Sequence, residues 1–218
     1  MKNIIFIAPP AAGKGTQSKL ISREFNIPHI SIGEIMREYR NPDTEIGRII
    51  IKCQDERALV PNEITFKILQ DRLSKSDCNN GYILDGFPRS MEQALEYDNI
   101  LHNLNKEIGN VIYMDIDKDV ALKRTLSRVV CSKCGETYNL ENINLKPKKD
   151  GICDKCGHAL QVRSDDNAST FENRYDTYVA QTKPLIDYYN SKGILRSINI
   201  MENDSANDVF AKIKEILD

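Results

Sequence analysis

Short, continuously apolar runs alternate along this chain with stretches whose apolar residues fall near helical spacing. Ile4-Ile5-Phe6-Ile7-Ala8 has no polar face, the pattern of a strand covered on both sides. Tyr82-Ile83-Leu84, ending at Asp85, and Val111-Ile112-Tyr113-Met114, ending at Asp115, repeat it, and a last strand is expected around residues 194–200. Helical spacing predicts helices over 16–25, 62–73, 91–104, 120–128, 171–190 and 206–217. This alternation implies an α/β fold, a parallel sheet with helices on both faces and its ligand at the carboxyl edge of the strands. Two stretches interrupt it. Residues 31–60 insert helices between the second and third strands, and residues 127–164 hold four cysteines and the turn-rich Lys146-Pro147-Lys148-Lys149-Asp150-Gly151.

The first strand runs into Pro9-Pro10-Ala11-Ala12-Gly13-Lys14-Gly15-Thr16, a tight small-residue loop opening a helix. Successive backbone N–H groups, a helix N-terminus and a lysine at its mouth together make a polyphosphate cradle. The loop departs from the common glycine pattern at Ala8 and Ala11. An alanine costs about 1–2 kcal/mol wherever such a position needs a positive φ. The loop hydroxyl arrives one place late, at Thr16, so magnesium depends less on it than in switch-type NTPases.

Composition narrows the class. Of the 218 residues, 40% are apolar and 28% charged, as in an ordinary globular protein. A net charge of −2 argues against a general nucleic-acid or membrane-surface binder. No apolar stretch is long enough to span a bilayer, and a cytoplasmic location is expected.

Cys131-x-x-Cys134 and Cys153-x-x-Cys156 enclose eighteen residues, a zinc-ribbon spacing, and Gly135 and Gly157 follow the two pairs. A reducing cytoplasm disfavours two disulfides, so zinc or a similar soft-site metal is expected. Cys53 and Cys78 read as packing residues.

After the third strand comes Asp85-Gly86-Phe87-Pro88-Arg89. The carboxylate is placed to hold magnesium or its waters, and the arginine to grip a phosphate. Together with Gly13-Lys14-Gly15-Thr16-Gln17, Gln93 and the cysteine insert, this motif resembles the adenylate kinase family over essentially the whole chain, in its long-lid, zinc-bearing bacterial form.

The resemblance implies a P-loop nucleoside monophosphate kinase-like fold with five parallel strands and two lid inserts. Residues 1–30, 61–126 and 165–218 would form the core, 31–60 the NMP-binding insert and 127–164 the zinc-binding lid. It implies ATP contacts from Ala11, Ala12, Gly13, Lys14, Gly15, Thr16, Arg124, Arg128, Thr137, Tyr138 and Glu202. On the AMP side it implies Ile32, Arg37, Ala58, Leu59, Val60, Gly86, Phe87, Pro88, Arg89, Gln93, Arg163 and Arg174. Lys14, Asp85, Arg89, Arg128, Arg163 and Arg174 would act on the transferring phosphoryl group. Arg163 and Arg174, eleven residues apart, would share a face if one helix carried both. Several positions differ from the family pattern: Ala8, Ala11, Ile32 for a threonine, Arg57, Val129, and Met201-Glu202 for Asp-Gly.

The function implied is reversible transfer from Mg²⁺-ATP to AMP giving two ADP, by a monomer carrying structural Zn²⁺, with no nucleic-acid or membrane partner. Two alternatives stay open on the sequence. One is a monophosphate kinase preferring another base, motivated by Ile32. The other is a catalytically impaired zinc-ribbon binding protein, motivated by the altered loop.

Overall fold

The computed structural model describes residues 2–56 and 60–218, with all side chains except those of Lys2, Glu34, Arg37 and Gln54. Among these residues eight strands form two sheets: β1 (Lys2–Ile7), β2 (His29–Ser31), β3 (Gly81–Asp85), β4 (Asn110–Ile116), β5 (Arg128–Cys131), β6 (Thr137–Asn139), β7 (Leu160–Gln161) and β8 (Leu195–Ile200). The larger sheet has the order β2-β3-β1-β4-β8, and every pairing in it is parallel. The smaller, β6-β5-β7, is antiparallel.

Strand β1 shows why the apolar runs are continuous. Ile5 and Ile7 pack on one face with Tyr82, Leu84 and Val111, while Ile4 and Phe6 pack on the other with Ile83, Ile112 and Met114. Successive side chains point to opposite faces, and helices cover both. The first face lies under α2 (Ile32–Glu38), α3 (Glu45–Asp55), α4 (Asn62–Ser74), α5 (Met91–Asn103) and α8 (Pro184–Ser191). The second lies under α1 (Lys14–Phe25), α6 (Lys118–Leu126), α7 (Ala168–Thr177) and α9 (Ala206–Leu217). Each fully buried isoleucine contributes about 1.5–3 kcal/mol.

Two predicted helices differ in extent. The one expected over 120–128 is α6, which starts earlier because the Asp117 carboxylate caps the N–H groups of Asp119 and Val120. It stops at Leu126, and Arg128 opens β5. The one expected over 171–190 is α7, a π-helical turn at Tyr178–Thr182, and α8. Pro184 starts α8 and has no N–H to donate backwards. The preceding Lys183 N–H reaches five residues back, to the Tyr178 carbonyl at 2.8 Å.

Candidate active site

The cradle sits where β1 meets α1. Ala11 and Gly13 both have left-handed backbone, φ +61° and +93°. A Cβ on Gly13 would touch nothing within 4 Å, so backbone conformation alone favours glycine there. At Ala11 the same conformation carries the alanine cost, whereas Ala8 lies outside the positive-φ region and bears none. Helix α1 begins without a side-chain cap, unlike α5, α6, α7 and α9, which leaves its first N–H groups for an anion. The Lys14 ammonium folds back over the loop, donating to the carbonyls of Ala8 (3.0 Å) and Pro9 (3.3 Å). Burial lowers its pKa to about 8; Asp85 opposes the shift, and Arg89 and Arg174 add to it.

Asp85 ends β3, paired in register with Ser31 at the end of β2. His29 Nε2 donates to its Oδ2 at 3.2 Å. Burial would raise this carboxyl's pKa, but the His29 bond and the charges of Lys14 and Arg89 outweigh it and hold the group below the ordinary range. An ionised carboxylate at the cleft fits a role in holding magnesium or its waters. Beyond it, Gly86 has φ +80°, and a Cβ there would lie 2.9 Å from Arg89 Nη2. Arg89 Nε donates to the Gly86 carbonyl at 2.8 Å, which folds the arginine across the turn. Gln93 accepts from the Arg89 N–H (2.8 Å) and donates to Asn62 (3.2 Å).

The other three arginines are organised by an aspartate pair. Arg128, at the start of β5, forms a two-pronged ion pair with the fully buried Asp166 carboxylate. Arg163 Nη2 and Arg174 Nη1 meet on one oxygen of Asp165, at 3.0 and 3.1 Å. Arg163 precedes α7, so a shared helix face does not join it to Arg174; Asp165 does. Burial lowers the pKa of Arg174, and Asp165 resists while Arg128, Arg163 and Arg89 push further down. With Lys14 and the four arginines set against Asp85, Asp165 and Asp166, a net positive charge faces one space.

That space is a cleft of about 490 Å³, lined by Ala11, Ala12, Gly13, Lys14, Gly15, Thr16, Asp85, Arg89, Arg124, Arg128, Thr137, Tyr138, Arg163 and Arg174 among others. Arg124 bonds the carbonyls of Met201 (2.9 Å) and Glu202 (3.4 Å). Glu202 lines a smaller adjoining cavity of about 70 Å³, and its carboxylate pairs with Lys123 at 3.1 Å. The expected acceptor-side residues Ile32, Val60, Gly86, Phe87, Pro88 and Gln93 are not among the cleft's lining. Ile32 and Val60 pack partly buried against the core, and Phe87 is wholly inside it, edge-on to Phe66 and Tyr97. Arg37 lies on α2 without a described side chain; Ala58 and Leu59 fall outside the described residues, as does Arg57.

The four cysteines of 127–164 converge, their sulfurs all within 4.8 Å of one another. Sγ of Cys131 lies 3.4 Å from that of Cys156, and Sγ of Cys134 lies 3.6 Å from that of Cys153. A tetrahedral Zn–S₄ centre with bonds of about 2.3 Å puts sulfurs roughly 3.8 Å apart, so the donor set fits zinc. Backbone N–H groups of Lys133 and Cys134 point at Cys131 Sγ, at 3.4 and 3.5 Å. Tyr138 lines the cleft, and its hydroxyl meets Cys153 Sγ (3.5 Å) and accepts from the Asp154 N–H (2.8 Å). Cys78 is fully buried, in keeping with a packing role.

Sequence reasoning passed over Asp165, Asp166 and His29. The aspartate pair was visible as adjacent carboxylates between two expected phosphate-binding arginines, which need an anion when no phosphate is bound. His29 stands two residues from a strand end facing Asp85, a relation that only strand register reveals.

The sequence matches the family model for adenylate kinase over residues 6–194. It is 43% identical over 214 residues to the adenylate kinase of Caldanaerobacter subterraneus subsp. tengcongensis, covering 98% of this chain and 95% of that protein. Those of Geobacillus sp. (strain WCH70) and Bacillus cereus (strain G9842) are 43% and 44% identical over 215 residues, covering 99% of this chain and 98% of each. With the family model spanning most of the sequence and these relatives nearly all of it, the chain belongs to the adenylate kinase family.

Proposed function

We infer that this chain catalyses reversible phosphoryl transfer from Mg²⁺-ATP to AMP, giving two ADP. The observation that carries the reading is one cleft holding Lys14 and four arginines, Arg89, Arg128, Arg163 and Arg174, with Asp85 at its floor. Phosphoryl transfer spreads charge over the moving group, and fixed cations in a dry site stabilise it. The attacking oxygen of a nucleoside monophosphate is already anionic, so no general base is required.

In this reading the cradle residues 11–16 hold the donor phosphates, with Arg124, Thr137, Tyr138 and Glu202 toward the donor nucleoside. Asp165 and Asp166 hold the arginines in place, and bound phosphate takes over part of that pairing. Magnesium would be held near Asp85 and neutralises phosphate charge when bound. Ile32, Arg37, Ala58, Leu59 and Val60, on an insert of residues 31–60, would form the acceptor side together with Gly86–Arg89 and Gln93 of the core and with Arg163 and Arg174. Residues 127–164 would close as a lid, stiffened by one zinc ion on Cys131, Cys134, Cys153 and Cys156. A segment this small has little core of its own, and metal cross-linking supplies rigidity. No described helix is long and apolar enough to cross a membrane. We take the chain to act as a monomer, as the resemblance implies; four cysteines poised for metal suit a reducing cytoplasm.

An ADP-formation assay with Mg²⁺-ATP and, separately, AMP, CMP, UMP and GMP tests this. AMP is expected to give the highest kcat/KM. A preference for CMP or UMP would move the assignment to another monophosphate kinase, and no turnover with any acceptor would refute the enzyme reading.

A further inference from the structure

Residues 139–144 carry three asparagines, Asn139, Asn142 and Asn144, used in a repeating way. The amide oxygens of Asn139 and Asn142 shape their own loop: Asn139 Oδ1 accepts from the N–H groups of Glu141 and Asn142, and Asn142 Oδ1 accepts from that of Asn144, all at 2.9 Å. All three amide nitrogens reach outward to carbonyls of other segments. Asn139 Nδ2 donates to Arg124 (3.3 Å), Asn142 Nδ2 to Glu202 (3.1 Å) and Asn144 Nδ2 to Asn203 (3.2 Å). The last two bonds cross from segment 127–164 to the loop between β8 and α9.

That loop is built to receive them. Arg124 holds the Met201 carbonyl, Asp204 accepts from the Met201 N–H at 2.8 Å, and Gln17 donates to the Ala206 carbonyl at 2.9 Å. Gln17 is itself buried on the helix that follows the cradle. The phosphate-binding helix, α6 and the asparagine loop therefore converge on residues 201–206. Asn139, Leu145, Asp204, Ser205 and Ala206 line the cleft, while Asn142, Glu202 and Asn203 line the small adjoining cavity, so the crossing bonds lie beside the cleft.

We propose that Asn142 and Asn144 are positioning residues: they latch segment 127–164 onto the β8–α9 loop and thereby set affinity for the donor nucleotide. Asparagine suits this role: the Asn142 amide both accepts the turn N–H and donates across the gap, and the Asn144 amide donates across it. Aspartate would keep the turn, lose the donor and set a charge against a carbonyl. The proposal rests on the cleft being the ATP site.

The test is the N142D/N144D pair, with N142A/N144A as an arm that adds no charge, each checked for metal content and melting temperature. An exposed neutral hydrogen bond is worth a factor of about two to ten in an equilibrium. Both pairs should raise the KM for ATP about tenfold, leave the KM for AMP within twofold and not reduce kcat. In protein without nucleotide, amide hydrogen exchange over 137–145 should quicken while that of β1 and β4 holds. Retention of these bonds by N142Q/N144Q, with smaller effects, would support the amide assignment. If a pair loses its metal, the single substitution Asn144→Asp decides by the same readouts. Unchanged ATP KM and unchanged exchange would overturn the latch, as would equal effects on ATP and AMP. An inactive wild-type protein would instead refute the enzyme reading, and the exchange arm would still judge the latch.

Discussion

Ala11 offers a clean measurement of what the altered phosphate loop costs. Its φ of +61° sets the Cβ against the adjoining carbonyl, a penalty of about 1–2 kcal/mol for an L-residue. Ala11→Gly removes that penalty but returns flexibility to the unfolded chain, worth about 0.5–1 kcal/mol the other way. The net gain is then about 0–1.5 kcal/mol, and for a chain of this length that raises Tm by up to about 6 °C. Gly13→Ala is the matched control. Gly13 has φ +93° and no atom within 4 Å of an added Cβ, so by the same balance alanine there should cost a net of about 0–1.5 kcal/mol, with nothing added by clashes with neighbours. Calorimetric melts of both variants, with ATP titrations, provide the assay. ATP affinity of Ala11→Gly should stay within about twofold, because the N–H directions that form the cradle do not change. A fall in Tm, or a tenfold loss of ATP affinity, would show that the Ala11 methyl is a working contact and would refute the strain argument.

The lowered pKa of Lys14 sets a pH dependence. The ammonium is charged below pH 8 and neutral above it, so the KM for ATP should climb above pH 8 by up to tenfold per unit; a flat profile from pH 7 to 9.5 would contradict this. The same shift makes the unfolded chain bind more protons between about pH 8 and 10.5, so this group's contribution to stability rises with pH there, a slope that Lys14→Met should abolish in denaturant titrations. Lys14→Met should also cut kcat by orders of magnitude with the fold intact by circular dichroism. Chelation should release one zinc per chain, speed hydrogen exchange in β5, β6 and β7 and raise the KM for ATP while the five-stranded sheet stays folded; carefully reduced, freshly purified protein without bound metal would rule this out. Ile32→Thr should lower the KM for AMP by about tenfold at most with little change in kcat, since one neutral hydrogen bond is worth about 0.5–1.5 kcal/mol; an unchanged KM would remove Ile32 from the acceptor side.

Patterning reads what burial dictates and misses what polar groups arrange among themselves. Ile4, Ile5, Phe6 and Ile7 announced a central strand because both faces of β1 are covered, and no polar residue can stand there without cost. The cysteine quartet was legible for a similar reason, since metal geometry fixes the spacing of its ligands. The arginines were legible only through motif register, and the reason given for joining Arg163 to Arg174 was wrong. One helix spanning both was needed, and the start of α7 at Ala168 excludes it. What joins them is Asp165, while Asp166 secures Arg128. The adjacency of Asp165 and Asp166 to Arg163 hinted at a pairing, but which arginine each carboxylate takes is chosen by the tertiary fold. The same holds for the asparagines. Asparagine is a turn former by type, and the oxygens of Asn139 and Asn142 do form turns. Their nitrogens reach carbonyls some fifteen to sixty positions away in the chain. If segment 127–164 closes as the lid proposed above, groups that separate and rejoin in each cycle would not be bound by a broad apolar face, because burying one would hold the cleft shut. Weak, exposed, directional bonds suit that task, and their chemistry is why a hydrophobic pattern is silent about them.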